Sequence, residues 1–377
     1  MAKFKEIYQS KLIPLEKMPD LLQSDTDVIV AQCASEPQGC MSVFHLAKER
    51  VRDVKVFSVL TLKPYEFYMK PEMKGHFELC SWFHAPGSRK ALKEKTGTVT
   101  YVPNMLHRAA SDRMKVRRPH MFVGTCTPPD DKGFVSLSLG ITYEKDILEV
   151  AEVVVLEVND KLPRTLGDTQ VHVSQVDYFV EYSQNPPTIP EPQPDEVAMK
   201  IGKHIADLIE DGSTIQLGIG EIPNAAALML RNKKDLGVHT EMMVDSMMEL
   251  YDMGVITNQK KSIHKGKFIC TFAMGSDRLY QWLDNNPAVE FLRGAYVNDP
   301  CLIRQNSKMV SINTCMAIDF TGQVASEGVG TRQYSGTGGQ SDTAVGAIDG
   351  LDGKGKSIIA CRSTAKGGTI STIVPVL

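Results

Sequence analysis

The chain of 377 residues lacks most of the features that would place it in a special class. It has no excess of basic charge: 42 Lys and Arg stand against 45 Asp and Glu, a formal net charge of −3, so it offers no field of the kind that neutralises nucleic-acid phosphates. No uninterrupted apolar run approaches the roughly eighteen residues of a membrane span. The opening Met1-Ala2-Lys3-Phe4-Lys5-Glu6 has neither the apolar stretch nor the small-residue cleavage site of a secretory signal, which predicts a cytoplasmic protein. The eight cysteines fall without Cys-x-x-Cys spacing, and a chain of this size does not depend on disulfide staples. None of the nine histidines forms a His-x-x-x-His or His/Cys pair of metal-site spacing, so no catalytic metal is expected. No Gly-x-Ser-x-Gly elbow is present, which removes the serine hydrolases of that type.

What remains is an ordinary globular composition, 42% hydrophobic and 23% charged, long enough for two domains that each bury a core. Strand-like runs recur at Asp27 to Ala31, Val54 to Leu60, Phe77 to Phe83, Thr98 to Val102, His120 to Gly124 and Val153 to Val158. Helical spacing lies between several of them, as at Val43 to Val51 and Arg89 to Lys95. This alternation predicts an α/β layer fold. Residues 183–194 carry Pro186, Pro187, Pro190, Pro192 and Pro194, which excludes a helix interior or a central strand, and we read them as a linker. Domains are therefore expected over 1–182 and 195–377. In the second, Asp195-Glu196 open a helix to about Leu208, followed by a strand at Thr214 to Leu217, helices at Ile222 to Arg231 and Met243 to Met253, a strand at Phe268 to Phe272 and a helix at Arg278 to Leu283. Two such domains facing each other leave a crevice at the carboxyl ends of their strands, where open α/β sheets bind ligands.

Three segments invite chemistry. Gly218-Ile219-Gly220-Glu221-Ile222-Pro223-Asn224 joins a strand to a helix with Pro223 in its first turn, so free N–H groups there could hold an anion. It could equally be a plain tight turn. Pro223 occupies the place of the third glycine in a dinucleotide fingerprint, which excludes NAD. Ser335-Gly336-Thr337-Gly338-Gly339-Gln340-Ser341-Asp342 is denser in glycine than a turn requires, and its amides could stabilise an oxyanion by about 3 to 4 kcal/mol per donor; the alternative is a mobile surface loop. Between them lies Glu241, in His239-Thr240-Glu241-Met242-Met243, a candidate nucleophile whose bland reading is an exposed acid at a helix start. Trp82, Phe83 and His84 read as core or pocket lining. Gly350 to Ser357 fits the Walker A pattern letter by letter, but a helix precedes it and a strand follows, the reverse of a phosphate-binding loop, so it is read as a solvated turn.

Taken together in this order, and with Pro128-Pro129-Asp130 before Gly133, these motifs resemble the acetyl-CoA hydrolase/transferase family, and within it the butyryl-CoA:acetate and 4-hydroxybutyrate CoA-transferases. The resemblance implies two related open α/β domains of the CoA-transferase type with the active site between them. It implies that Glu241 is the nucleophile, forming an acyl-glutamyl anhydride and then a glutamyl-CoA thioester. It further implies that Gly218, Gly220, Asn224, Gly336, Gly338, Gly339, Gln340 and Lys366 contact CoA or the acyl group, with Gly338 and Gly339 beside the thioester and Gly218 and Gly220 at the acyl end. Acyl-CoA and a short-chain carboxylate would be the partners, CoA a substrate rather than a cofactor, and the assembly a homodimer or higher homo-oligomer. The pattern departs at Asp342-Thr343, where relatives carry Asp-Phe. The chain also stops at Leu377 where relatives continue for several dozen residues, so it reads as a truncated product or a divergent short form. Two other functions fit the same residues: an acyl-CoA hydrolase, in which water resolves the anhydride, and a non-catalytic acyl-CoA-binding sensor.

Overall fold

Seven strands rich in Val, Ile and Phe assemble into one wholly parallel sheet in the computed structural model, which describes residues 2–191 and 193–377. They are β1 (Asp27–Val30), β2 (Val54–Val59), β3 (Phe77–Phe83), β4 (Val99–Tyr101), β5 (Met121–Cys126), β6 (Val153–Val158) and β7 (Tyr178–Glu181). Their order is β4-β3-β2-β1-β5-β6-β7. Every residue of β1 and of β5 is buried, as expected for parallel strands covered on both faces. The chain runs outward from β1 to β4 and then returns to β5 on the other side of β1. That reversal opens a crevice at the carboxyl end of β1, just before Cys33.

The expected helix at Val43 to Val51 is replaced by a short helix over Gln38–Ser42 and a 3-10 turn over Phe44–Ala47. The apolar spacing that suggested a helix is met instead by Phe44, Ala47 and Val51 entering the core from turns. The helix expected from Arg89 begins earlier, as α1 (Pro86–Glu94), with Pro86 in its first turn.

The second half repeats the parallel style on a smaller scale. β8 (Thr214–Leu217) lies between β9 (Gly237–Val238) and β14 (Met309–Thr314), and β15 (Lys356–Ala360) flanks β14. Between β9 and β14 in sequence, β10 (Met242–Met243) pairs with β12 (Phe272–Ala273), and β11 (Phe268–Cys270) pairs with β13 (Val289–Phe291). A bridge between His239 and Ile269 joins β9 to β11. Four helices matter to the site: α2 (Glu196–Asp207), α3 (Glu221–Met229), α4 (Asp245–Asp252) and α5 (Gln340–Ile348). Asp195 caps α2 by accepting the Ala198 N–H at 2.8 Å. The helix expected from Met243 starts two residues later, because Met242 and Met243 belong to a strand. Residues 350–355 link α5 to β15, so the Walker-like letters run from helix to strand as read.

The halves interlock along two β-bridges, Gly140 with Phe272 and Gly167 with Phe291. Ala34, Leu139, Ile141 and Leu162 of the first half share a hydrophobic cluster with Met243, Phe268 and Phe291 of the second. At the rim Arg293 pairs with Asp146, Glu149 and Asp168. The proline-rich stretch is strapped down: Ile189 donates its N–H to Gly275 O at 3.1 Å, and Tyr280 its hydroxyl to Pro187 O at 2.6 Å. Pro192 lies outside the described residues. Among the described residues no helix is long and apolar enough to cross a membrane.

Candidate active site

Glu241 is held by the sheet rather than by a helix start. Its carbonyl accepts the N–H groups of Thr271 and Phe272, at 3.0 and 3.1 Å, and the preceding Thr240 N–H bonds Ile269 O at 2.9 Å. The ladder thus fixes the backbone on both sides, and the bland reading as an exposed acid on a helix fails. Glu241 keeps intermediate exposure in an open cleft lined by residues of both halves.

Oε2 of Glu241 accepts a hydrogen bond from Asn298 Nδ2 at 2.8 Å. Asn298 is itself buried, on the turn that follows Gly294–Val297. The Gly339 amide also donates to the Glu241 carboxyl. Burial pushes that carboxyl up to about 7; Asn298 pulls against the rise, the Asp342 charge adds to it, and the Gly339 amide again opposes it. Near neutrality the group is therefore divided between acid and carboxylate. A desolvated carboxylate of this basicity is a better nucleophile than a solvated one.

The second glycine-rich segment is not a loose loop. Ser335 O accepts the His84 N–H at 3.2 Å, and Gly338 O accepts the Leu106 N–H at 3.2 Å. A Cβ at residue 336 would lie 2.2 Å from Trp82 O, so glycine lets the segment lie flat on the end of β3. Gly338 has φ +53°, and the Phe83 ring lies 3.4 Å from where its Cβ would be. Asp342, in the first turn of α5, closes the clamp: it accepts from His107 Nδ1 at 2.8 Å and from the His107 N–H at 3.2 Å. Burial raises the Asp342 carboxyl against the opposing influence of His107.

The candidates divide between two adjoining cavities. Gly218, Gly336, Gly338, Gly339 and Gln340 line the cleft with Glu241. Gly220 and Asn224 face a neighbouring open space which, among the described residues, shares Gly218 and Ile219 with the cleft. The Gly218 N–H is already bonded to Ile312 O at 3.1 Å, so the donor role imagined for it is occupied. Asn224 interacts with Glu191 of the proline-rich strap. Lys366 is not brought to either space; it sits exposed in the turn between the short strands Thr364–Ala365 and Ile370–Ser371. Of the aromatic trio, Trp82 is core, while Phe83 and His84 line the cleft.

Sequence reading missed Asn298, which stands 57 positions from Glu241 in an unremarkable Val-Asn-Asp stretch. It also missed Arg89, a cation on the cleft wall that donates from Nη1 to His84 O at 3.0 Å and Tyr334 O at 3.3 Å and lies over the Tyr334 ring at 4.4 Å.

Residues 1–190 match the acetyl-CoA hydrolase/transferase N-terminal domain, and residues 275–377 the C-terminal domain of the same name. The chain belongs to the acetyl-CoA hydrolase/transferase family. It is an enzyme of the CoA-transferase type. A 4-hydroxybutyrate coenzyme A transferase from Clostridium kluyveri is 40% identical over 375 residues, covering 99% of this chain and 86% of the relative. A probable butyrate:acetyl-CoA coenzyme A-transferase from Syntrophomonas wolfei is 35% identical over 386 aligned positions, covering all of this chain and 85% of that one. Among solved structures, RipA from Yersinia pestis superposes with a TM-score of 0.92 at 31% identity, covering 99% of this chain and 86% of RipA. The shared α/β fold is thus that of CoA-transferases.

Proposed function

We propose that this enzyme moves CoA between a short-chain acyl-CoA, butyryl-CoA or 4-hydroxybutyryl-CoA, and a carboxylate such as acetate, by way of covalent intermediates on Glu241. The observation that carries the reading is the Glu241 carboxyl in the cleft, contacted by Asn298 and by the glycine segment at Gly339. The names of the relatives in Clostridium kluyveri and Syntrophomonas wolfei support the choice of acyl groups.

In this scheme one carboxylate oxygen of Glu241 attacks the thioester carbonyl carbon. The C–S bond breaks, CoA leaves as thiolate, and an acyl-glutamyl anhydride remains. The thiolate returns to the glutamyl carbonyl, releasing the acyl group as its carboxylate and leaving CoA on Glu241 as a thioester. The acceptor carboxylate then reverses both steps. Each tetrahedral intermediate carries an oxyanion that neutral donors, the Asn298 amide and backbone N–H groups of residues 338 and 339, can stabilise without a fixed positive charge that would retain carboxylate products. Arg89 gives the cleft wall one cation toward which anionic substrates are drawn. The acyl bond energy stays in an anhydride or thioester throughout, so the scheme calls on no cofactor beyond CoA, itself a substrate.

The test is to incubate the enzyme with butyryl-CoA, reduce with borohydride and map the product by mass spectrometry. A reduced glutamyl residue at position 241 is expected. Parallel measurement of CoA release from butyryl-CoA with and without acetate separates transfer from hydrolysis: thiol release that ignores acetate would overturn the transferase reading and leave a hydrolase.

A further inference from the structure

Five of the eight cysteines are buried, and Cys301 is exposed on its own. The remaining two, Cys315 and Cys361, are half-buried and belong together. β14 and β15 run parallel with Thr314 opposite Ala360 as their last paired residues, so Cys315 and Cys361 are the next positions of both strands. Their thiols are close enough to influence each other. Neighbouring strands are about 4.8 Å apart, inside the Cα separation of about 4.4–6.8 Å that a disulfide spans. The strand register thus brings the two cysteines within the Cα reach of a disulfide.

Their neighbours reach the site from both sides. Thr314 and Met316, which flank Cys315, line the same cleft as Glu241. Arg362, which follows Cys361, grips Asp195 through Nη1 at 2.8 Å and Glu221 through Nη2 at 2.5 Å. Asp195 caps α2 and Glu221 opens α3, directly after the Gly218–Gly220 turn. A link between the two sulfurs would couple the cleft wall to the strand end that anchors both helices.

We propose that Cys315 and Cys361 form a redox modification site, closed to an intramolecular disulfide by a low-molecular-weight disulfide such as oxidised glutathione, and that closure suppresses CoA transfer by fixing the cleft wall. One cysteine, as thiolate, attacks a glutathione sulfur, forming a mixed disulfide and expelling one glutathione thiolate, which takes up a proton. The second cysteine then attacks the protein sulfur of the mixed disulfide, its proton passing to solvent, and expels the second glutathione. In balance, two cysteine thiols are oxidised to one disulfide and one glutathione disulfide is reduced to two thiols. Burial, and then the neighbouring Cys361, push the Cys315 thiol up to about 12. The part contributed by Cys361 vanishes once that sulfur is capped, which favours Cys361 as the first attacker and Cys315 as the resolving thiol.

The experiment treats the full chain with oxidised glutathione and maps its peptides by non-reducing mass spectrometry, alongside Cys315→Ser, Cys361→Ser and the double variant. A crosslinked peptide pair joining 315 to 361 is expected, together with a loss of transfer that dithiothreitol restores, while the double variant keeps its transfer under the same treatment. Cys315→Ser should stop at a glutathione adduct on Cys361, whereas Cys361→Ser should form its adduct far more slowly, because burial still holds the Cys315 thiol up. Glutathione carried on Cys301 alone, or an equal loss of transfer in the double variant, would overturn the proposal, as would a crosslink that leaves transfer unchanged. The crosslink is read without any assay of activity, so its failure is distinct from failure of the transferase reading.

Discussion

Oε2 of Glu241 lies 1.7 Å from the point where a Cβ at residue 339 would stand. The same Cβ would fall 2.2 Å from Asn298 Nδ2, so the carboxylate and its amide partner both occupy space that only glycine leaves free. Gly339→Ala must push the carboxylate out of place. A displacement of about 1 Å at a reacting atom commonly costs about a hundredfold in rate. We expect that loss in transfer with little change in the denaturation midpoint, since the segment is otherwise unaltered; an alanine variant with full activity would show that Glu241 reacts from another position.

Asn298 and Asp342 bear on Glu241 in opposite senses, and the pH profile should separate them. The acid limb of kcat/KM reports deprotonation of the nucleophile in free enzyme, expected near 7. Asn298→Ala removes a hydrogen bond to the charged form, so the limb should move to higher pH. The lost bond to a charged group is worth about 1.5–3 kcal/mol, or roughly ten- to a hundredfold in rate. Asp342→Asn removes a repelling charge, and its limb should move to lower pH. Shifts in the same direction would refute this assignment of the two neighbours.

A raised carboxyl also acts on stability, and the sign is the reverse of a salt-bridged acid. With the folded value near 7 and the ordinary value at 4.5, the folded chain binds more protons than the unfolded one across that window. Stability from this group therefore falls as pH rises from the ordinary value to the folded one, and stays lower above it. Glu241→Gln abolishes the titration. It should be more stable than the parent near about pH 8 by no more than about 3 kcal/mol, with the gap closing toward about pH 5. Urea denaturation at both values checks it, and a constant gap would show that burial does not disfavour the charge.

Much of the fold was legible because local signals agree with the tertiary environment. β3, β6 and β8 occupy the spans read from their apolar residues, which outweigh the few polar ones (Glu78, Ser81, Glu157, Gln216) in strands that are mostly buried. The segment from Val43 was misread because the same spacing serves successive turns as well as a helix. At the site, Glu241 and the glycine segment could be picked out, whereas the partners that tune Glu241 could not. Asp342 stands in the glycine-rich segment but nothing in its letters shows its charge facing Glu241, and nothing local marks Asn298 as aimed at a carboxylate 57 residues away. Likewise a glycine pair after a strand predicts free donors, but the Gly218 N–H is taken by Ile312, on a strand almost a hundred positions downstream.

Gly167 and Gly220 separate the cost of backbone strain from the cost of a lost fit. Both have positive φ, +109° and +118°, where an L side chain is strained, and Gly220, with ψ near 180°, lies in a region that is nearly glycine-only. A Cβ at 220 would meet nothing within 4 Å, so Gly220→Ala should cost the strain alone, about 1–3 kcal/mol. At 167 the Cβ would lie 2.3 Å from Phe291 O and 2.7 Å from Phe291 N. Those two atoms bond Asp168 N–H and Leu166 O, each at 2.9 Å, and so carry the bridge between the halves. Gly167→Ala should therefore destabilise the chain by a further amount, about 1–3 kcal/mol for an overpacked site that must shift backbone. Chemical denaturation of the two variants side by side decides the matter: equal losses would mean that the Gly167 contact adds nothing to the joining of the halves.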